Sequence, residues 1–358
     1  MLRLARPAIF LALLGSLLAG CKGPVYGPQV KQQVLLALDQ HLAHTAYAPG
    51  VAFDTWPTVK GRHGKALEEA SSPDALMKAV NDALATYKIS HLQVMTPERS
   101  RAYHQSFSPA ALGFDAILHD RAWMVHRVEP ESPAARGGLL PADVLVGVPT
   151  DKPLAKIFEP LEPGRRVTLV WKRGTTEHRG TFTLARVELK EPVALRWLEG
   201  GIAVLRIPSF KEQRYDPGAV AALVATARGA KGMILDLRGN RGGRLAYCGH
   251  LLSQVVPKGT LLYRTQMRSG GGEVVRSRPP KAGPYAGPLA VLVSPGNGSG
   301  GELVPGVLQE LGRAKVLGMK TMGAVLGSRT HPLGHRWEVQ LPHLDVLPPQ
   351  GKTLEGRG

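Results

Sequence analysis

A buried strand, a glycine-rich turn and the start of a helix are predicted by the stretch Leu289-Ala-Val-Leu-Val-Ser-Pro-Gly-Asn-Gly-Ser-Gly-Gly-Glu302. The apolar run is typical of a buried strand, and the glycines permit backbone conformations that other residues avoid. Ser299 stands at the turn, where the free N–H groups and the positive dipole end of the helix can stabilise a nearby oxyanion. A phosphate-binding turn or a simple connection would show the same pattern, so a nucleophilic serine needs partners elsewhere in the chain.

The length and charge of the chain narrow its class. Its 358 residues are enough for two or three domains, and its formal net charge is +17. The basic residues are scattered and no nucleic-acid-binding motif is present, so we expect solubility and attraction to anionic membranes rather than a nucleic-acid partner. We predict no cofactor and no metal site, because Pro332 and Gly334 prevent a helix that would align His331 with His335.

Residues 1–20 have the features of a secretory signal peptide, since two arginines precede an apolar run too short to span a bilayer. The segment Leu18-Ala19-Gly20-Cys21 resembles the lipobox of bacterial lipoproteins, which implies acylation of Cys21. Lys22 then implies a lipid anchor on the periplasmic face of the outer membrane, and an ordinary secreted protein is the alternative. The other cysteine, Cys248, is predicted to be buried in a helix, and no internal disulfide is possible once Cys21 is acylated.

Three further segments follow the signal peptide. Residues 21–105 form a predicted helical region, with helices over 30–42 and 72–87 and a strand over 89–94. Residues 106–190 contain short strands and turns, with Ser132 as the cap of a short helix. Residues 191–358 alternate strands with helices, which predicts a layered α/β domain.

The pattern of residues 106–190 resembles a PDZ domain of the bacterial protease type. In that family, a loop that corresponds to Leu112-Gly113-Phe114 binds the C-terminal carboxylate of a peptide, which adds to the sheet as a strand. Ala142 replaces the glycine that usually precedes the aspartate. A small β-rich domain without a ligand is the alternative.

Two motifs in the last segment carry a more specific resemblance. They are Asp236-Leu-Arg-Gly-Asn-Arg-Gly-Gly243 and the Ser299 stretch, which residues 308–318 follow. In this order they resemble the C-terminal processing (tail-specific) and tricorn-type serine proteases. The resemblance implies a multidomain α/β protein with a ClpP/crotonase-like protease core over 191–358, and it makes Ser299 the nucleophile. Such proteases continue past the position of Gly358, so this chain is either unusually short or truncated there.

The general base departs from the tail-specific pattern. The usual lysine is replaced by Ala324 and the usual glutamine by Ser328. The tricorn-type branch instead has a Ser-His pair upstream of its PDZ-like domain and a glutamate in a Glu-x-x-Gly context near the C-terminus. The resemblance therefore implies a catalytic tetrad of Ser90, His91, Ser299 and Glu355. It also implies an oxyanion hole made by Gly300 with Gly242 or Gly243. Imidazole, with an ordinary pKa of about 6.5, can accept the serine proton near neutral pH.

Further residues near these motifs have secondary or supporting roles in this prediction. Lys320 and His250 are secondary candidates for the base, Asp236, Arg238 and Asn240 are expected to shape their turn, and Glu302 is expected to support the helix start and its loop. We therefore expect an envelope serine endopeptidase that forms an acyl-enzyme, captures polypeptides by their C-termini and could form oligomers. The alternative is an inactive homologue that acts as a peptide-binding adaptor.

Overall fold

The computed structural model describes residues 26–105, 107–150, 162–188 and 191–358. The predicted signal peptide and Cys21 lie outside these residues. Across the described ranges, no helix combines the length and the apolar character needed to cross a membrane.

Nine helices lie in the described residues, and short 3-10 turns lie at Phe53–Thr55, Ala85–Tyr87, Glu212–Arg214 and Ala227–Gly229. The helices are α1 (Pro28–His44), α2 (Trp56–Arg62), α3 (Gly64–Glu69), α4 (Pro73–Leu84), α5 (Pro97–Gln105), α6 (Pro133–Arg136), α7 (Pro217–Thr226), α8 (Leu245–Ser253) and α9 (Gly300–Glu310). The strands of the N-terminal half are β1 (Gln93–Met95), β2 (Phe107–Ala111), β3 (Phe114–His119), β4 (Ala122–Val128), β5 (Val144–Val146), β6 (Arg166–Arg173), β7 (Thr176–Thr183) and β8 (Ala185–Glu188). Those of the C-terminal half are β9 (Ala194–Leu198), β10 (Ile202–Arg206), β11 (Gly232–Asp236), β12 (Leu261–Met267), β13 (Val274–Arg276), β14 (Leu289–Val293), β15 (Lys315–Gly318), β16 (Gly327–Gly334) and β17 (Trp337–Leu347).

The two predicted N-terminal helices are confirmed as α1 and α4. The apolar residues of α1 recur at helical spacing and are buried, and Ser72 caps α4 by accepting a hydrogen bond from the Ala75 N–H at 3.2 Å. The short helices α2 and α3 were not predicted, because Pro57 and the glycines at 61 and 64 resemble turn residues.

The predicted strand over residues 89–94 is wrong for its first four residues, since β1 begins only at Gln93. His91 has a φ of +58°, a left-handed conformation that a regular strand does not contain. β1 pairs antiparallel with β17, and Leu333, Trp337 and Leu341 belong to the same hydrophobic core as the N-terminal helices. The loop that holds Ser90 and His91 is thereby fixed against the C-terminal part of the chain.

An antiparallel sheet in the order β3-β4-β5-β6-β7 makes up most of the middle of the chain. Its apolar faces enclose a separate core that includes Leu112, Val125, Leu145 and Phe182. The predicted Ser132 cap is confirmed, because its Oγ accepts the Ala135 N–H of α6 at 3.1 Å. Within the described sheet β3 pairs only with β4, so β3 is an edge strand.

The C-terminal half is the predicted mixed α/β structure. Its sheet has the order β15-β14-β11-β10-β9, in which the first four strands are parallel and β9 is antiparallel. β11 and β14 are neighbours, with Asp236 opposite Leu292, so the two turns that follow these strands lie at the same edge of the sheet. The division of the chain into domains at residues 105 and 190 stays a prediction.

Candidate active site

Ser299 occupies the sharp turn between β14 and α9. Its backbone has φ +53° and ψ −125°, a conformation that residues with a side chain rarely adopt. Hydrogen bonds hold this conformation on both sides: the Ser299 N–H donates to the Ala324 carbonyl at 2.5 Å, and the Ser299 carbonyl accepts from the N–H groups of Glu302 and Leu303. A serine held in this way at a strand-to-helix turn projects its hydroxyl from the turn, as nucleophilic serines do.

The turn after β11 packs directly against Ser299. A Cβ placed on Gly242 would lie 2.6 Å from the Gly300 nitrogen and 2.9 Å from the Ser299 Oγ, so only glycine fits there. Gly242 donates its N–H to the Asn240 Oδ1 at 2.7 Å and has none left for an oxyanion. The N–H groups of Gly243 and Gly300 make no hydrogen bond within the described part of the chain. Of the two glycines considered as partners for Gly300, Gly243 is therefore the one with a free donor.

Ser90, His91 and Glu355 are brought together although Ser90 and Glu355 lie 265 positions apart. The Ser90 hydroxyl donates to the Glu355 Oε2 at 3.0 Å, and its oxygen lies 2.6 Å from the His91 Nδ1. Because the hydroxyl hydrogen is directed to Glu355, Nδ1 must carry the proton that it shares with Ser90. The Nε2 atom of His91 is then unprotonated and able to act as a base.

One loop, residues 321–326, connects this cluster to Ser299. The Glu355 carboxylate accepts hydrogen bonds from the Val325 and Leu326 N–H groups, while the preceding carbonyl, that of Ala324, accepts from the Ser299 N–H. No direct hydrogen bond joins the described side chains of His91 and Ser299. Hydrogen bonds of this kind are often long without substrate and shorten when substrate binds.

Glu302 fixes the same loop from the helix side. Its carboxylate is buried and accepts hydrogen bonds from the Thr321 Oγ1 at 2.5 Å, the Gly323 N–H at 2.7 Å and the Ala324 N–H at 2.8 Å. The prediction that Glu302 supports the helix start and its loop is confirmed for the loop. Ala324, which replaces the usual lysine, is thus fixed through both of its backbone groups. Its N–H donates to Glu302, and its carbonyl accepts from the Ser299 N–H.

The pKa of His91 is lowered by burial of the ring, and the negative charge of Glu355 opposes this effect by raising it. The net lowering keeps the imidazole neutral at pH 7, as a base must be. The other candidates are placed differently. Lys320 is exposed to solvent, and both ring nitrogens of His250 have partners, Tyr215 Oη at 2.9 Å and Gln254 Nε2 at 3.2 Å.

Asn297, whose role the sequence does not predict, joins the two turns through its side-chain amide. Its Oδ1 accepts from the Gly239 N–H and the Ser294 N–H, and its Nδ2 donates to the carbonyls of Leu237 and Gly301. A fully buried asparagine can satisfy donors and acceptors of two chain segments at once. Its presence among the glycines between Ser294 and Ser299 was the available signal.

The predicted carboxylate-binding loop has a fixed shape. Gly113 has φ +82°, and its carbonyl accepts the Glu129 N–H at 2.8 Å and the Ser132 hydroxyl at 3.2 Å. Leu112 is buried in the core of the antiparallel sheet, and Phe114 is the first residue of the edge strand β3. The loop therefore lies at the start of β3, the edge strand to which a peptide could add as a further strand.

Comparison with known sequences gives a match of residues 201–358 to the model described as "Peptidase family S41". A "Probable CtpA-like serine protease" of Staphylococcus epidermidis (strain ATCC 12228 / FDA PCI 1200) is 24% identical over 304 residues, which cover 81% of this chain and 60% of that protein. The protein of the same description from Staphylococcus haemolyticus (strain JCSC1435) is 24% identical over 312 residues, 84% of this chain and 60% of that protein. The chain thus spans about 60% of the length of the curated relatives that it matches.

Two solved structures share the fold. The photosystem II D1 C-terminal processing protease has a TM-score of 0.56 at 18% identity, over 92% of this chain and 91% of that one. Mature CPAF complexed with lactacystin has a TM-score of 0.64 at 15% identity, over 92% and 93% of the two chains. At such identities the likeness establishes the architecture and leaves the chemistry to be argued from the residues.

Proposed function

We propose that this chain is a serine peptidase of family S41, whose model matches residues 201–358, and that it cleaves polypeptides with Ser299 as nucleophile and His91 as general base. The observation that carries the proposal is the hydrogen-bonded chain from His91 through Ser90 to Glu355, whose carboxylate is anchored beside the loop that holds Ser299. This chain supplies a base where the lysine of related proteases is absent.

The proposed reaction begins when the His91 Nε2 takes the proton of the Ser299 hydroxyl. The serine oxygen forms a bond to the carbonyl carbon of the substrate, and the C–N bond then breaks as the imidazolium returns the proton to the leaving amine. Water repeats the same steps to release the acyl group. Ser90 and Glu355 orient the ring and stabilise its charged form, as the carboxylate of a catalytic triad does.

The oxyanion of the tetrahedral intermediate is proposed to bind the N–H groups of Gly243 and Gly300. Among the described residues neither group has a hydrogen-bond partner; Gly300 directly follows Ser299, and Gly243 belongs to the turn that packs against it. A donor of this type contributes about 3 kcal/mol to stabilisation of the transition state. Gly242 would act indirectly, by allowing the two turns to approach each other.

Further parts of the proposal concern substrate capture and location. The sheet β3–β7 would act as a PDZ-like unit that binds substrate C-termini along β3, with residues 112–114 at the carboxylate. The edge position of β3 and the fixed shape of the Gly113 loop support this role. The sequence of residues 1–21 supports acylation of Cys21 and a place in the cell envelope, on the periplasmic face of the outer membrane.

A peptide-cleavage assay on purified variants tests the proposed chemistry. Ser299→Ala and His91→Ala should each abolish cleavage, whereas Lys320→Ala, which removes an exposed lysine, should retain it. Cleavage that survives His91→Ala would contradict the role of His91. A folded wild-type protein that binds C-terminal peptides without cleaving any would indicate an adaptor instead.

A further inference from the structure

Lys211 lies beside the proposed oxyanion site, although no part of the mechanism uses it. The preceding residue, Phe210, is bonded to the glycine turn through its N–H, which donates to the Gly242 carbonyl at 2.9 Å, and through its carbonyl, which accepts the Arg244 N–H at 2.8 Å. A Cβ on Gly243 would collide with the backbone nitrogen of Lys211. The backbone of Lys211 is therefore adjacent to Gly243, one of the two proposed oxyanion donors.

The ammonium group of Lys211 has no carboxylate partner in the described structure. Its Nζ donates to the Tyr103 carbonyl at 2.7 Å and lies 4.6 Å from the centroid of the Tyr103 ring. Burial lowers the pKa of Lys211, and the positive charges of Arg214 and Arg241 lower it further. A half-buried ammonium whose charge is disfavoured by nearby cations is stabilised when an anion binds close to it.

Arg241 is a second cation that acts on Lys211, and it belongs to the glycine turn after β11. It is exposed, and none of the hydrogen bonds or ion pairs of the described residues includes its side chain, although its positive charge helps to lower the pKa of the Asp115 carboxyl. Its neighbours differ from it, because Arg238 is paired with Asp236 at 2.6 Å and Arg244 with Glu212 at 3.0 Å. Two arginines of the turn thus have a carboxylate partner within hydrogen-bonding distance, whereas the guanidinium of Arg241 and the ammonium of Lys211 have none among the described residues.

We propose that Lys211 and Arg241 form a subsite that binds a carboxylate group of the polypeptide substrate close to the scissile bond. The inference rests on the proposed peptidase function and adds a substrate preference to it. A carboxylate would receive charge-assisted hydrogen bonds from the ammonium and from the planar guanidinium, which suits carboxylates geometrically. We expect a preference of about 10- to 100-fold in kcat/KM for an acidic peptide over its neutral isostere.

Two sources of the carboxylate are possible, an acidic side chain or the free C-terminus of the substrate. Matched peptides distinguish them: Glu or Asp is replaced by Gln or Asn at each position that flanks the cleaved bond, and each peptide is made with a free or an amidated C-terminus. Loss of the preference on side-chain replacement assigns an acidic side chain, and loss on amidation assigns the terminal carboxylate.

The subsite is tested with Lys211→Met, Arg241→Gln and the double variant in the full chain. The expected result is a 10- to 100-fold loss of kcat/KM for the preferred acidic peptide, while the neutral isostere stays within about twofold of wild type. Lys211→Arg should keep the preference, and Lys211→Glu should favour peptides with lysine at the same position. Arg196→Gln is the matched control, because Arg196 is an exposed residue on the edge strand β9. It should leave kcat/KM unchanged for both the acidic peptide and the neutral isostere.

Binding to the Ser299→Ala variant separates this inference from the proposed function, because binding needs no catalysis. In the Ser299→Ala background, Lys211→Met together with Arg241→Gln should weaken binding of the acidic peptide and leave binding of the neutral isostere unchanged. Equal loss for acidic and neutral peptides, or no loss for either, would overturn the subsite. Selective binding in a protein whose wild type cleaves no peptide would instead support the subsite and contradict the peptidase.

Discussion

Replacement of Glu355 by glutamine should slow peptide cleavage and move its acid limb to lower pH. The carboxylate accepts four hydrogen bonds, from the Ser90 N–H and hydroxyl and from the Val325 and Leu326 N–H groups. Glutamine has one oxygen, so its NH₂ group must face a donor that Glu355 now satisfies. The variant also loses the negative charge that stabilises the imidazolium of His91.

The size of the effect follows from these contacts. A hydrogen bond to a charged group is worth about 1.5–3 kcal/mol. If the Ser90 to Glu355 bond contributes only when His91 is charged, kcat/KM should fall by about 10- to 150-fold. The pH effect has a defined sign, because burial lowers the pKa of His91 and Glu355 raises it. Without that charge the pKa falls further, and activity should persist to lower pH.

The assay is a profile of kcat/KM against pH for wild type and Glu355→Gln, with one peptide and constant ionic strength. Glu310→Gln is the matched control, because Glu310 is a half-buried glutamate whose carboxylate accepts the Gln350 N–H and lies outside the proposed site. An unchanged rate, or an acid limb that moves to higher pH in Glu355→Gln, would refute the reasoning about the relay.

Three further predictions concern the supports of the site. Glu302→Gln should lower the free energy of unfolding by about 2–4 kcal/mol in urea titrations, because three donors lose a buried carboxylate; an unchanged midpoint would argue against this role. Gly242→Ala should reduce cleavage more than about 100-fold, because the new Cβ meets Ser299 and φ is +83°; wild-type rates would show that the turns are not in contact. Cys248, whose thiol pKa is raised by burial, should resist iodoacetamide at pH 8 until the protein is unfolded, and mass spectrometry that finds it labelled in the native state would contradict its burial.

Local patterns were enough to predict much of the fold. The strand, turn and helix around Ser299 follow from an apolar run and a cluster of glycines, and the caps at Ser72 and Ser132 follow from residue type and spacing. The candidate pair of Ser90 and His91 came from resemblance, and the structure places it in contact with Glu355. The catalytic roles of these residues stay predictions.

Long-range contacts account for what the sequence did not predict. His91 was assigned to a strand because its neighbours are apolar or β-prone, but the hydrogen bonds of Ser90 to Glu355 fix a left-handed loop there. The choice between Gly242 and Gly243 depends on a side chain two residues away, that of Asn240. The role of Asn297 depends on two turns that are distant in sequence and meet only because β11 and β14 are neighbours.

Fluorophosphonate labelling tests the central claim most directly, because the probe reacts rapidly with an activated serine and very slowly with an ordinary one. We predict that intact wild-type protein is labelled at Ser299, that His91→Ala is labelled far more slowly although it remains folded, and that Lys320→Ala reacts like wild type. Equal labelling of wild type and His91→Ala, or no labelling of the folded wild type, would contradict the claim that His91 activates Ser299.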